Sequence, residues 1–269
     1  MFRFGNAAWL LLFVTAAYGG EPVDGHPLKP LLDYAERRLP QIDRSIRDYK
    51  CLVVQRERIE GRLEKPRYMT VKLRHEQVRG EAVAVPFSVY LNYLWPDELR
   101  GREVIYVGGR NRGKLIAHKG GNRFSFVTVA IDPEGDLAMR DNRYPVTAMG
   151  IRNLIERLLD VAREELQYDE IDVKYYAGAK INGRVCTTIE VTHPVRRDYF
   201  RYHVARIFID DELALPIRYA SYDWPEEENG KPPLLEEYTY LNLELNAGLT
   251  DGDFNHKNPN YGFRKDFEP

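Results

Sequence analysis

The apolar positions of this chain change period twice. From Leu28 to Ile46 they fall at Leu28, Leu31, Leu32, Ala35, Leu39, Ile42 and Ile46, mostly three or four apart, as on one face of an amphipathic helix. Pro40 lies inside that run and predicts a kink or a split into two helices. Period two then takes over. Residues 49–60 read as extended. In 66–79, Tyr68, Thr70, Lys72 and Arg74 alternate with Met69, Val71 and Leu73, the pattern of a half-buried strand. Further strands are predicted at 86–94, on both sides of the GGRNRG turn at 108–113, and at 123–131. An irregular link at 136–149 leads into a second helix from about Gly150 to Gln167. Ile151, Leu154, Ile155, Leu158, Leu159, Ala162 and Leu166 line one of its faces, and Thr147 is the expected N-terminal cap. Period two returns at 170–180 and 184–192, which flank Asn182-Gly183, the strongest short-range hairpin signal. Strands at 200–209, 215–223 and 234–245 follow, and from Asn246 the tail is polar and rich in Gly, Pro and Asn.

Nine or ten strands joined by short turns favour an antiparallel meander, because parallel pairing would need a crossover between each pair. The expected fold class is α+β, mainly β. It is a strongly curved, unclosed antiparallel sheet with the two main helices packed on its concave face. No linker composition separates the two strand sets, so residues 20–269 are read as one domain.

The start of the chain, MFRFGNAAWLLLFVTAAYGG, changes the picture. One arginine, an apolar run from Ala7 to Ala17 and small residues after it have the layout of a signal peptide. The run is shorter than the roughly 20 apolar residues that span a bilayer. Cleavage after Gly19 is expected, with export to the periplasm or beyond, and no membrane-spanning segment is expected in the mature chain. With 39 Lys and Arg against 41 Asp and Glu the net charge is −2, and loss of Arg3 makes it 38 − 41 = −3. Neither sign dominates, which argues against a nucleic-acid partner. Two cysteines, Cys51 and Cys186, are either a disulfide of an exported protein or two buried thiols.

Sequence motifs for catalysis are few. None of the six histidines pairs at zinc-helix spacing, and there is no nucleophile elbow or phosphate loop. No metal and no cofactor are expected. Asp251, Asp253 and Asn255 imitate the start of a calcium loop, but His256 and Gly262 stand where a glycine and a bidentate glutamate are required. Arg56, Glu57, Arg58, Lys72 and Arg74 read as cross-strand charge pairs on a solvated sheet face. Arg140 and Arg143, before the second helix, are either an anion or headgroup contact or pins that hold the loop to carboxylates and carbonyls. Several strands carry apolar residues on both faces, so one face needs cover, a partner or a ligand. Phe87, Tyr90, Tyr106, Phe126, Phe208 and Tyr219 are the candidate groove residues.

The segments VKLR (71–74), PFSVYL (86–91), GREVIYVGGRNRGKLIAH (101–118), NRYPVTAMGIRNL (142–154), ARIFIDDELALPIRY (205–219) and EEYTYLNLELNAGLTDGDF (236–254) resemble domain-of-unknown-function family 1571, a group of exported bacterial proteins. That family supplies no catalytic residues to carry over. The tail, with Tyr240, Asn242, Asn246 and Phe254, is similar to that of the outer-membrane lipoprotein-sorting carriers of the LolA and LolB type. This second resemblance implies a half-barrel with helices in its concave face and an apolar cavity for acyl chains. Three functional readings follow. The first is a non-enzymatic lipid- or lipoprotein-binding carrier of the cell envelope, whose partner is an acyl chain or a lipoprotein. The second is an envelope protein-interaction or sensor module with a filled core. The third is a hydrolase assembled only in three dimensions, with His193, Asp210 and Asp211 as first suspects.

Overall fold

The computed structural model describes residues 25–120, 127–227 and 229–269. The signal-peptide segment and Phe126 lie outside the described residues. Helix α1 (Lys29–Ser45) opens the described chain. Nine strands follow: β1 (Asp48–Ile59), β2 (Arg62–Leu63), β3 (Arg67–Arg74), β4 (Gln77–Arg79), β5 (Ala82–Val85), β6 (Ser88–Trp95), β7 (Glu103–Val107), β8 (Leu115–His118) and β9 (Thr128–Ile131). Short helix α2 (Asp136–Met139) and helix α3 (Ile151–Glu165) interrupt them. Five more strands complete the order: β10 (Asp172–Ile181), β11 (Arg184–Thr192), β12 (Val204–Asp210), β13 (Leu215–Tyr222) and β14 (Leu234–Leu245).

Eleven strands form one path, β10-β11-β12-β13-β14-β1-β3-β6-β7-β8-β9, with β2 paired to β1. Every pairing is antiparallel. The β14–β1 pairing joins the two strand sets into one sheet. Among the described residues β10 and β9 are its free edges, and the sheet does not close. Alternation aims Tyr49, Cys51 and Val53, Met69, Val71 and Leu73, and Val89, Leu91 and Tyr93 at α1 and α3, where they form the main core. Their neighbours point to the other face. There Tyr90, Ile105, Val107 and Ile116 meet Phe254, Tyr261 and Phe263 of the C-terminal tail. The apolar outer face of β6–β8 is therefore covered by the chain's own end. Asp251 and Asp253, the calcium-loop imitators, anchor that tail to Arg74 at 2.8 Å and Lys72 at 2.7 Å.

Several expectations need correction. Helix α1 runs through Pro40 as one element and is not split into two helices there. The strand expected over 66–79 ends at Arg74. His75 leaves the sheet by bonding the Ile46 carbonyl through Nδ1 (3.0 Å), and β4 and β5 make a separate hairpin. Thr147 caps nothing: the residue before α3 is Gly150, and the Ile151 amide donates to the Tyr49 hydroxyl at 3.1 Å. A long-range acceptor has replaced a local one. Glu57 is not on the solvated face with Arg56 and Arg58. It is 2 % exposed on the inner face.

The cysteines are free and buried, which overturns the disulfide. Cys51 belongs to the main core, whereas Cys186 packs with Ile181 and Ile217 in a separate cluster. Their strands stand four places apart in the sheet, about 19 Å at normal strand spacing, far beyond disulfide reach. Burial pushes the Cys51 thiol up to about 12 and raises Cys186 as well, so neither is a ready nucleophile. A thiol reagent is expected to find no reactive cysteine in the native protein and two per chain after denaturation without reductant. No thiol in the denatured, unreduced chain would restore the bridge.

Candidate functional site

From the edge strand β9 the chain must return to the sheet centre, where α3 starts against Tyr49 of β1. Residues 132–150 make that crossing over the inner face and roof a cavity of about 430 Å³. The floor is Val53 of β1, Leu91 and Tyr93 of β6, Val104 of β7, Leu115 and Ala117 of β8, and Val129 and Ile131 of β9. The roof includes Leu137, Tyr144, Val146, Met149 and, from α3, Leu154 and Arg157. Tyr238 and Tyr240 of β14 close the far wall. β14 and β9 are six places apart, about 29 Å on a flat sheet. Only strong curvature brings both to one cavity of this size.

The roof is pinned by polar groups. Buried Arg67 of β3 donates to the Asn142 side-chain oxygen at 2.7 Å and to the Asp141 carbonyl, and Asn142 donates to the Ala138 carbonyl at 2.8 Å. At the β1–β14 end lies a polar wall. Glu57 and Glu236 are directly opposite in the register, 2 % and 4 % exposed. The Tyr238 hydroxyl lies between them, against Glu57 and 3.1 Å from Glu236. Burial, then Glu236 and Glu57, hold that phenol well above its usual range, so it serves as a donor. Glu57 also accepts from the Arg143 amide at 3.3 Å. Glu236 accepts from the Tyr144 hydroxyl (3.2 Å), the Ser221 hydroxyl (3.3 Å) and, as an ion pair, Arg143 (3.4 Å). All four carboxylate oxygens thus have a donor, as buried charges require.

None of the five described groove candidates lines this cavity. Tyr90 is on the outer face, bonded to Glu103 at 2.6 Å and stacked on Tyr261 at 4.1 Å. Phe208 packs against the Cys186 cluster under the Arg218 guanidinium. Phe87 and Tyr106 touch each other beside the main core. Tyr219 is fully packed near Glu236. The two loop arginines divide. Arg143 is a pin, bound to Glu236 and to the Arg58 carbonyl (3.3 Å), while Arg140 is an exposed residue of the cavity lining. Sequence reasoning missed Arg157, Tyr238 and the Glu57–Glu236 pair. The register signal was present for the pair, but only once β14 is known to lie beside β1.

The hydrolase suspects do not converge. Asp210 bonds Arg184 and the amides of Glu212 and Leu213 at its hairpin, and Asp211 takes the Thr187 hydroxyl at 2.9 Å. His193 follows the opposite end of β11, on the order of 20 Å away at normal strand rise. It is fully buried, stacked on Phe200 at 3.8 Å and 3.4 Å from Glu165, outside the cavity lining. Among the described residues no group of three or more His, Cys, Asp or Glu side chains is placed to hold a metal.

An unclosed, curved antiparallel sheet with a roofed cavity on its helix-bearing face defines the class of this protein. Within it, the chain belongs to the protein-of-unknown-function family DUF1571, whose model matches residues 46–263. No curated protein matches the chain. Among solved structures it is similar to a DUF1329 family protein from Desulfovibrio piger ATCC 29098 (16 % identity, 86 % of this chain and 98 % of that one, TM-score 0.40). It is also similar to a putative outer membrane lipoprotein-sorting protein domain from Vibrio parahaemolyticus (11 %, 83 % and 95 %, TM-score 0.39). A third is a LolA superfamily protein from Nitrosomonas europaea (11 %, 82 % and 97 %, TM-score 0.33). The likeness is of fold alone. No helix among the described residues is long and apolar enough to cross a membrane.

Proposed function

We propose that this protein is a non-enzymatic, exported carrier that holds an acyl chain of a lipid or lipoprotein. The observation that carries the reading is the cavity of about 430 Å³, floored by Val53, Leu91, Val104, Leu115 and Ala117 where a solid core would have left no room. Its size suits a small apolar ligand. Burying ten methylenes would contribute roughly 8 kcal/mol before the cost of immobilising the chain.

The test is binding. Native mass spectrometry of the purified protein is expected to show a bound lipid, and organic extraction to make the protein competent for a fluorescent fatty-acyl probe. Ala117→Trp, which fills the floor of the cavity, is expected to weaken that probe at least about tenfold while the circular dichroism spectrum is kept. A wild type that carries no lipid and takes no probe, or a variant that binds as well as wild type, would sink the carrier reading. A second reading, contact with another envelope protein, is favoured by the hairpin β4–β5. It stands off the main sheet with Val78 and Val83 more than half exposed.

A further inference from the structure

The cavity has two unlike ends. The β7–β9 end is walled mainly by Val104, Leu115, Ala117, Val129 and Ile131, with Arg102 and Lys119 at the strand ends, and the β1–β14 end by Glu57, Tyr144, Arg157 and Tyr238. At the polar end the two buried carboxylates are engaged, since every oxygen of Glu57 and Glu236 already takes a donor. Donors are left over. Arg157 lines the cavity with its guanidinium 3.8 Å from the centre of the Tyr144 ring, yet it makes no hydrogen bond or ion pair among the described residues. Stacking uses the flat face of a guanidinium and leaves its edge, a fork of N–H donors matched to carboxylate and phosphate oxygens. Two further lining arginines, Arg102 and Arg140, also lack an acidic partner among the described residues. Asp141 and Glu57 are the acidic members of the lining, and Glu57 is taken.

We infer that the cavity selects a single-chain amphiphile with an anionic head, a carboxylate or a phosphate monoester, seated on the Arg157 edge with its chain along β6–β9. The inference rests on the carrier reading and narrows it. The size suits one chain and not several: about 430 Å³ lies toward the small end of the range for small-molecule sites. The charge of Arg157 is secure. Burial works against it, but its pKa is raised, with the Glu236 carboxylate as the anionic neighbour, and a guanidinium does not lose its proton in proteins. A neutral lipid or a lipoprotein's acyl groups would fill the apolar end and leave those donors facing hydrocarbon, which buried polar groups resist.

The experiment compares heads on one chain length by displacement of a fluorescent acyl probe from the delipidated full-length mature protein. The probes are tetradecanoate, tetradecyl phosphate, tetradecanol and tetradecyltrimethylammonium, with acetate and inorganic phosphate as chainless anions. The two long-chain anions are expected to bind at least about tenfold tighter than the alcohol, and the chainless anions not to compete. Arg157→Gln is expected to erase the preference for the anions and leave the alcohol within about twofold of wild type, and Arg157→Lys to restore part of it. Equal binding of acid and alcohol, preference for the ammonium, a preference that survives Arg157→Gln, or equal competition by acetate or phosphate each overturn the anionic-head inference. In the first of these the carrier reading still stands, whereas binding of none of the long-chain probes overturns both. If Arg157→Gln does not fold, the head series on wild type and Arg157→Lys decides.

Discussion

Gly150→Ala is expected to lower the free energy of unfolding by about 3–5 kcal/mol, the sum of a strained backbone and an overpacked core. Gly150 precedes α3 with φ +115° and ψ 161°, a region open to glycine and closed to residues with a Cβ. A Cβ there would stand 2.7 Å from Leu73 Cδ1 and 3.0 Å from the Tyr49 hydroxyl. Leu73 is wholly buried and Tyr49 nearly so, so neither can move aside cheaply. The same hydroxyl accepts the first amide of α3. Displacing it would strand a buried N–H as well. Gly183→Ala is the control. It also has a positive φ, +83°, but open space around it, and strain alone should cost about 1 kcal/mol. Urea denaturation of both variants measures the difference, and equal losses would show that Gly150 is needed for its backbone angles and not for the close packing of α3 on the sheet.

Gly150 also marks where the sequence stopped being legible. Its helix was readable from Ile151, Leu154, Ile155, Leu159 and Ala162, because a 3.6-residue period needs no partner to be seen. The antiparallel order was readable from short turns, above all Asn182-Gly183, whose two residues take φ of 48° and 83°. The start of the helix was not, since its acceptor comes from Tyr49, about a hundred residues earlier. The cavity residues failed for the same reason. Aromatic side chains on two-faced strands pointed to Tyr90 and Phe208, but alternation alone does not say which face the tail Phe254–Phe263 will cover. Glu57 looked like a surface charge between Arg56 and Arg58. Period two had placed it opposite those arginines, and only the β1–β14 register shows that Glu236 and Tyr238 wait there. A local pattern gives the face; the partner on that face is a property of topology.

Glu236→Ala is expected to cost about 3–5 kcal/mol, the usual loss when one member of a buried, hydrogen-bonded charge network is removed. Four groups lose an acceptor: the hydroxyls of Tyr144, Ser221 and, in part, Tyr238, and the Arg143 guanidinium. Ser221 is 2 % exposed, so water cannot easily substitute for the lost bond. Tyr144 and Arg143 belong to the roof at 132–150, and Glu236 ties both side chains to the sheet, beside the bonds of Arg143 to Glu57 and the Arg58 carbonyl. The loss should therefore be local as well as global. Trypsin is expected to cut the native variant after Arg140 or Arg143 faster than it cuts wild type, because opening of the roof no longer breaks those bonds. Glu236→Gln retains one acceptor oxygen and should fall between. Glu237→Ala provides the contrast: the next residue points to the opposite face and pairs with Arg218 in a partly solvated bridge, where about 1 kcal/mol or less is at stake. If Glu236→Ala and Glu237→Ala lose equal stability, or if tryptic cutting in the roof does not rise, the buried carboxylate is not what holds the cavity shut.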